Sequence, residues 1–524
     1  VSSGPRPSTP PLPLDEIAAV AGASLEPGTA ASPVVVTGVT HDSRTVLPGD
    51  LYAALPGFRT HGAEFVAQAA GLGAVAVLTD RAGRDRAAAT GLPLLVAEDP
   101  RAVLGVVASR VYADPSHDLV VVGITGTNGK TTTSYLVDAG FRAAGHLTGV
   151  IGTVGTRIGD DVVPTVRTTP EAPDVHALLA VMRERGVTAV TMEVSSHALR
   201  LGRVDGVRFD VAGFTNLSPD HLDFHTDMDD YLDAKAQLFT AARSDRAVVC
   251  VDGEWSSRIV DRARSEGLPV TTYAVGDASA DWRPRGVVAV PGGSVLRCLG
   301  PGGVDVPLEV RLPGEFNVAN GIGALALLVV AGVDPLVAAD GIAACPGVPG
   351  RMERVPDPHP RRSLLAVVDY AHTPDAVERA ITAAAIGARG SVTVVLGAGG
   401  DRDPHKRHAM GLAAGRGAHR VIVTDDNPRS EDPAGIRAEV MRGVRDAAPA
   451  DALEIGDRGG AIRRAVELAG EGDVVLVLGK GHEQGQEVAG TVTPFDDRLV
   501  LAEALEHDPG PSAGNPSEET PWSP

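Results

Sequence analysis

The sequence predicts an α/β protein of three domains, and three observations lead there. Short β-branched runs alternate with Ala/Leu-rich helical patterns between residues 14 and 508, the pattern of parallel sheets covered by helices. At ~100–200 residues per domain, the 524 residues divide into about three. Near the end of the chain, four apolar runs (365–368, 392–396, 421–424 and 474–478) each stop directly at a polar segment. In open α/β sheets ligands bind at the carboxyl ends of the strands, so these four segments form a candidate binding face.

The elements follow in order. Residues 1–13 are rich in Pro and Ser, and 509–524 in Pro, Gly, Ser and Glu; both are expected to be disordered tails. The first block, 14–118, holds strand patterns at 34–37, 51–55 and 74–78 and a helix over 64–70. The second block, 119–346, opens on the strand pattern 119–124, followed by an amphipathic helix from about 131 to 144 and a further strand pattern at 187–192. The third block, 347–508, begins near Gly350-Arg351-Met352-Glu353 and holds the four apolar runs.

Composition narrows the functions available. There are 47 Lys+Arg against 67 Asp+Glu, a net charge of -20, which disfavours a nucleic-acid partner because phosphate neutralisation needs a basic face. Aromatic residues make up 3% of the chain, too few for a single-strand stacking platform. No apolar run approaches the ~18 residues that span a bilayer. The N-terminal segment lacks the apolar stretch of a secretory signal. The three cysteines, Cys250, Cys298 and Cys345, are too scattered for a disulfide framework or a zinc site. A soluble, cytoplasmic protein is expected. Only four lysines occur, Lys130, Lys235, Lys406 and Lys480. Codon bias explains their rarity, but not why each falls in a motif.

The clearest motif is Gly126-Thr127-Asn128-Gly129-Lys130-Thr131-Thr132, between the 119–124 strand pattern and a helix. Glycines let backbone N–H groups turn around phosphate oxygens. The helix N-terminus adds a favourable dipole, Lys130 can reach the terminal phosphates and Thr131 can hold Mg²⁺. The longer eight-residue form of the motif would need Gly where Ile124 stands. Glu193 ends the 187–192 run, where a carboxylate beside a phosphate loop is placed to hold Mg²⁺. The segment Asp220-His221-Leu222-Asp223-Phe224-His225 gathers two His and two Asp. Lys235 lies in a helical pattern with Leu232, Leu238 and Phe239 as candidate core; by pattern alone it reads as a surface lysine.

The short form Gly-Thr-Asn-Gly-Lys-Thr resembles that of the Mur ligase family, the ATP-dependent enzymes that add amino acids to UDP-N-acetylmuramic acid. Ordered matches run from about residue 34 to 500. The resemblance implies a central P-loop ATPase-type parallel sheet, a C-terminal Rossmann-like domain and a small N-terminal α/β domain that binds the UDP-substrate. It makes Lys235 a carbamylated lysine, whose carboxylate-like group can hold a hard cation where an ammonium cannot. With Thr131, Glu193 and His221 it would place two Mg²⁺ ions. Asn317 and Arg351 match ATP contacts. Ser43, His61 and Gly62 match contacts to the uridine diphosphate, and Thr168, Thr169, Ser195 and Arg203 contacts to the muramoyl peptide. Leu201 departs from relatives that carry a polar residue there.

In the third block the resemblance singles out Asp426-Asn427-Pro428-Arg429 as the signature of relatives that add meso-2,6-diaminopimelate. The far carboxylate of that amino acid suits a fork-shaped Arg429, and its ammonium suits Glu483. A lysine substrate would leave Arg429 unpaired. Arg402 and Gly479 match further contacts to the amino acid. The implied reaction is phosphorylation of the D-glutamyl carboxylate of UDP-N-acetylmuramoyl-L-alanyl-D-glutamate by ATP, then attack by the diaminopimelate amine. Closure of the domains is expected, because an acyl phosphate must be shielded from water. A monomer is expected. A lysine-adding ligase and a folylpolyglutamate synthetase are rivals within the chemistry. A nucleotide-binding regulatory or motor protein is a rival outside it, and would need the phosphate loop but not Lys235, His221 or the third-block motifs.

Overall fold

A computed structural model of the chain describes residues 6–26, 28, 33–57, 60–163, 167–222, 224–290, 292–359, 363–386, 388–447 and 451–507. The expected tail 509–524 and Asp223 lie outside them. The chain forms two compact units, one of Val1–Gly286, Leu296–Glu309 and Val318–Cys345, the other of Val287–Val295, Val310–Asn317 and Pro346–Pro524.

The first sequence block and most of the second, without Val287–Val295, Val310–Asn317 and Pro346, share the first unit but build separate sheets. The N-terminal sheet has five strands in the order Ser24–Glu26, Leu94–Val96, Ala76–Thr79, Asp50–Ala53, Gly38–Thr40. All pairings are parallel except that of Ser24–Glu26. The expected strand at 34–37 is a correction. Val35–Val36 pairs antiparallel with Leu12–Pro13, and the strand of the five-stranded sheet starts only at Gly38, opposite Asp50. The expected tail 1–13 is corrected for the same stretch: Arg6 pairs with the buried Asp50, and Thr9 Oγ1 donates to Thr37 O, so residues 6–13 are held by polar partners that composition does not reveal. The helix expected at 64–70 is a 3₁₀ turn, Gly62–Phe65, running into an α-helix, Val66–Gly71.

The central sheet has eight strands, in the order Asp161–Val163, Gly155–Ile158, Thr148–Gly152, Ala189–Glu193, Val120–Thr125, Phe209–Phe214, Ser244–Cys250, Val270–Tyr273. The first two form an antiparallel hairpin edge whose inner strand, Gly155–Ile158, also pairs antiparallel with Thr148–Gly152, and the remaining pairings are parallel. Strand Val120–Thr125 is flanked by Ala189–Glu193 and Phe209–Phe214, so three strand ends converge beside its C-terminus. The helix Pro100–Val111 packs on Ala172–Glu184, and Leu104, Val107 and Ala180 share one core. This shared core joins the two blocks in one unit.

The second unit holds a six-stranded sheet, in the order Glu353–Val355, Leu365–Asp369, Val474–Leu478, Val392–Leu396, Arg420–Val423, Asp451–Glu454. Five strands are parallel and Glu353–Val355 is antiparallel. The four strands read from the apolar runs are therefore consecutive neighbours with their carboxyl ends at one edge. Both faces are covered: Val394, Leu396 and Leu476 pack on one side, Val395, Val475 and Val477 on the other. This explains why these strands read as continuous apolar runs rather than alternating ones. Among the described residues no helix is long and apolar enough to cross a membrane.

Candidate functional site

In the first unit the phosphate loop joins strand Val120–Thr125 to helix Lys130–Ala143. Gly126 has φ +147°, and a Cβ there would collide with Thr215 Oγ1, so the turn admits glycine alone. The loop is fastened to the segment after strand Phe209–Phe214. Asn128 N donates to Asn216 Oδ1 at 2.9 Å, Thr127 N to Asn216 O at 2.9 Å, and Thr215 Oγ1 to Asn128 O at 2.6 Å. Lys130 Nζ donates to Gly126 O and Thr127 O, both at 2.9 Å.

Lys235 is where pattern reading of the sequence alone misleads. It lies in helix Met228–Ala236 but is buried, with Nζ 2.8 Å from Gly126 O and 4.4 Å from the Tyr231 ring centre. Burial, and then the neighbouring Lys130 ammonium, push its amine well below the ordinary lysine range. Two lysines thus share one backbone acceptor, and the more buried one is driven toward the neutral amine.

Glu193 is buried and accepts from Thr131 Oγ1 at 2.8 Å, Thr153 N at 2.7 Å and Thr153 Oγ1 at 3.0 Å. The parallel register opposite Ile124 puts this carboxylate beside the phosphate loop. His221 has φ +54° and its side chain is 44% exposed; its ring meets His197 edge-on at 5.0 Å and Tyr231 at 6.1 Å. His225 has a different role. It is buried between Asp230 Oδ2 (3.3 Å) and Ser196 Oγ (3.0 Å), so it joins two helices. Among the described residues no three His, Cys, Asp or Glu side chains group as a metal site.

The residues matched to the muramoyl peptide gather next to Glu193. Thr169 Oγ1 donates to Glu193 O at 2.8 Å and accepts from Ser195 N at 3.2 Å, while the hydroxyls of Thr168 and Thr153 are 3.1 Å apart. Arg203 Nε lies 2.9 Å from Glu171 Oε1. Those matched to the uridine diphosphate lie apart, on the N-terminal sheet. Ser43 Oγ donates to Gln68 Oε1 at 3.1 Å. His61 caps the turn Gly62–Phe65, accepting from Ala63 N at 3.0 Å, with Nε2 3.1 Å from Asp80. Gly62 O accepts from Tyr52 Oη at 3.0 Å.

In the second unit the third-block motifs meet at the sheet edge. Asn427 Nδ2 donates to Glu483 Oε2 at 2.7 Å. Lys480 Nζ donates to Asn427 Oδ1 at 3.1 Å and to Glu483 Oε2 at 3.2 Å. Gly479 has φ +118°, and a Cβ would strike the Asp426 carboxylate, so these two strand ends approach as closely as glycine permits. Arg429 has φ +52°; its Nη1 donates to Gly400 O at 2.7 Å and its N–H to Glu487 O at 3.0 Å. Arg402 is exposed on the loop after strand Val392–Leu396. The Arg351 guanidinium stacks 4.3 Å over the Tyr370 ring. Asn317 is buried, with Nδ2 donating to Pro313 O at 2.7 Å.

Sequence reasoning did not find the pair Arg458–Asp497, in which both side chains are 0% exposed. Arg458 Nη2 also donates to Leu478 O at 2.9 Å, directly before Gly479. It also missed Thr153 on Glu193 and Asn216 under the phosphate loop. Lys480 carried a signal in its rarity, but no role.

Phosphate loop, carboxylate and lysine on one α/β unit, with charged strand ends on a second, define an ATP-dependent ligase of the Mur type, and the comparisons agree. The chain matches the Mur ligase family catalytic domain over residues 35–112, the Mur ligase middle domain over 124–328 and the Mur ligase glutamate ligase domain over 350–481. It belongs to the Mur ligase family. It is 54% identical to the UDP-N-acetylmuramoyl-L-alanyl-D-glutamate–2,6-diaminopimelate ligase of Streptomyces avermitilis, over 97% of this chain and 99% of that one. It is 52% identical to the ligase of the same name from Corynebacterium efficiens, over 87% and 88%. A solved UDP-N-acetylmuramoyl-L-alanyl-D-glutamate–2,6-diaminopimelate ligase superposes with TM-score 0.67 at 32% identity, covering 95% of this chain and 99% of the other. A folylpolyglutamate synthase from Mycobacterium tuberculosis shares the fold, with TM-score 0.60 at 18% identity over 77% of this chain and 94% of its own.

Proposed function

We propose that this chain is an ATP-dependent amide ligase that adds meso-2,6-diaminopimelate to UDP-N-acetylmuramoyl-L-alanyl-D-glutamate, in cytoplasmic peptidoglycan precursor synthesis. The observation that carries the amino-acid specificity is the gathering of Asn427, Arg429 and Glu483 at one sheet edge. It sets hydrogen-bond donors for a carboxylate beside an acceptor for an ammonium, the two ends of an amino-acid head. In this reading residues 14–118 bind the UDP-substrate through Ser43, His61 and Gly62, 119–346 bind ATP, and 347–508 bind the amino acid with Arg402, Asp426 and Gly479 contributing. Asn317 and Arg351 contact ATP. The protein acts as a monomer without nucleic acid or membrane insertion.

The backbone N–H groups of residues 126–132 and the Lys130 ammonium hold the terminal phosphates of ATP and stabilise the phosphoryl group in transit. Thr168, Thr169, Ser195 and Arg203 hold the muramoyl peptide, so that its D-glutamyl carboxylate attacks the γ-phosphorus and ADP leaves. The diaminopimelate amine then attacks the acyl carbon of the acyl phosphate, loses a proton, and phosphate departs from the tetrahedral intermediate.

Lys235 is carbamylated in this reading. The neutral amine that its burial favours forms an N–C bond with CO₂ and releases one proton, and the resulting anion pairs with Lys130 in place of a second ammonium. The encoded oxygens, Thr131 and Glu193, are too few for a divalent cation by themselves; with the carbamate and His221 the set fits Mg²⁺. When bound, two Mg²⁺ ions would neutralise phosphate charge.

The test is phosphate release by purified protein. Release is expected only with ATP, the UDP-muramoyl dipeptide and diaminopimelate together, with L-lysine used less well by a factor on the order of 10⁴. Equal turnover with L-lysine would refute the specificity.

A further inference from the structure

Lys480 is a buried charge of the second unit with no part in the proposed reaction. Its side chain is 0% exposed, whereas Glu483, which it contacts, is 31% exposed. A buried ammonium is costly unless it is paired and hydrogen-bonded. Lys480 is satisfied by Asn427 Oδ1 at 3.1 Å and Glu483 Oε2 at 3.2 Å. Being covered, it holds from within the two groups assigned above to the amino acid, Asn427, itself buried, and the partly open Glu483.

The consequence lies in how those two groups are divided. Asn427 Oδ1 accepts from Lys480 Nζ and from the Glu487 N–H at 2.9 Å, so the amide oxygen points inward. Its nitrogen must then point the other way, with one hydrogen on Glu483 Oε2 at 2.7 Å. Among the described residues the second amide hydrogen is not engaged. Glu483 Oε2 takes both Lys480 and Asn427, and among the described residues Oε1 is not engaged either. What remains is one N–H donor beside one carboxylate oxygen. If the amide flipped, its oxygen would face the Glu483 carboxylate and its nitrogen the Lys480 ammonium, an arrangement in which both contacts repel.

We infer that Lys480 is a positioning residue for amino-acid selection: its buried ammonium locks the Asn427 amide with nitrogen outward and ties down one oxygen of Glu483, leaving a matched donor–acceptor pair for the carboxylate and ammonium of the incoming amino acid. This rests on the reading of that edge as the diaminopimelate site. Lys480 does not touch the ligand.

The experiment is steady-state kinetics of full-length Lys480→Met, varying each of the three substrates. KM for diaminopimelate should rise about ten- to a hundredfold, the loss expected when a charge-assisted hydrogen-bond network is unmade. KM for ATP and for the nucleotide substrate should stay within twofold, and preference over L-lysine should fall. In an Asn427→Ala background the same substitution should add less than about threefold, because the groups act as one unit. Lys480→Gln keeps a donor without the charge and should give a smaller rise. Asn427→Asp tests the claim with Lys480 intact: it replaces the outward donor by an acceptor and should raise the diaminopimelate KM at least as much. An unchanged diaminopimelate KM in Lys480→Met, or in Asn427→Asp where the lysine variants do not fold, overturns the inference. So does an equal rise for all three substrates. Absence of diaminopimelate-dependent phosphate release by the unmodified protein would instead overturn the assigned function, so the two failures are distinguishable.

Discussion

Asp497→Ala is expected to weaken the second unit by about 3–5 kcal/mol, the usual cost of removing one partner from a buried ion pair. Arg458 Nε and Nη2 donate to the two carboxylate oxygens of Asp497, each at 2.7 Å, and neither side chain is exposed. Without Asp497 the guanidinium stays buried, facing two carbonyls, Leu478 O at 2.9 Å and Asp425 O at 3.4 Å. Carbonyl dipoles do not neutralise a full charge. Asp497→Asn, which keeps one oxygen, should lose less, about 1.5–3 kcal/mol for a bond to a charged group. Arg458→Met combined with Asp497→Leu removes both charges and should recover most of the loss. Among the described residues the tryptophans, Trp255 and Trp282, lie in the first unit, so amide hydrogen exchange of strand Val474–Leu478 is the suitable measure. The strand should exchange about two to four decades faster in Asp497→Ala, at 1.4 kcal/mol per decade. A change below tenfold would refute the reasoning, and so would a double variant no more stable than Asp497→Ala.

Two further outcomes are expected. Lys235→Ala should lower kcat by about 10²–10³-fold, the scale of losing a group that stabilises transition-state charge, with partial rescue by a short added carboxylic acid; full activity of the variant would remove the carbamate. His176 is buried, with Nε2 donating to Asp205 O at 2.9 Å, and burial pushes it down to about 4 from 6.5. Because the folded value is the lower one, the unfolded chain binds the proton first. This contribution is whole above about pH 6.5 and is lost as pH falls toward 4, about 3 kcal/mol in all. Tryptophan-monitored unfolding at pH 7.5 and 4.5 should show a smaller difference for His176→Met than for the native chain, and equal differences would exclude His176 as the cause.

The phosphate loop was legible because all its parts are contiguous: strand, glycines, lysine and helix follow one another within residues 120–143. The four strand ends of the second unit were legible as segments for the same reason. Their adjacency was not, because strand Val474–Leu478, last of the four in sequence, inserts between Leu365–Asp369 and Val392–Leu396. Lys235 shows the limit from the other side. Its helical context reads as a solvated surface, and beyond the rarity of lysine only the resemblance singled it out, since the residue that receives it, Gly126, lies 109 positions earlier.

The sequence by itself determined the α/β class and the phosphate loop, because periodicity and motif chemistry are written in neighbouring residues; the groups at the third-block strand ends it offered only through a family resemblance. The tertiary structure alone decided which of those groups are covered and which remain partly open. Lys480 and Glu483 look alike in sequence, two charged residues three apart. Packing buries the first completely and leaves the second partly open. Burial fixes those roles: a covered charge must be neutralised from within and so orients its partners, while an exposed one can turn its remaining oxygen outward.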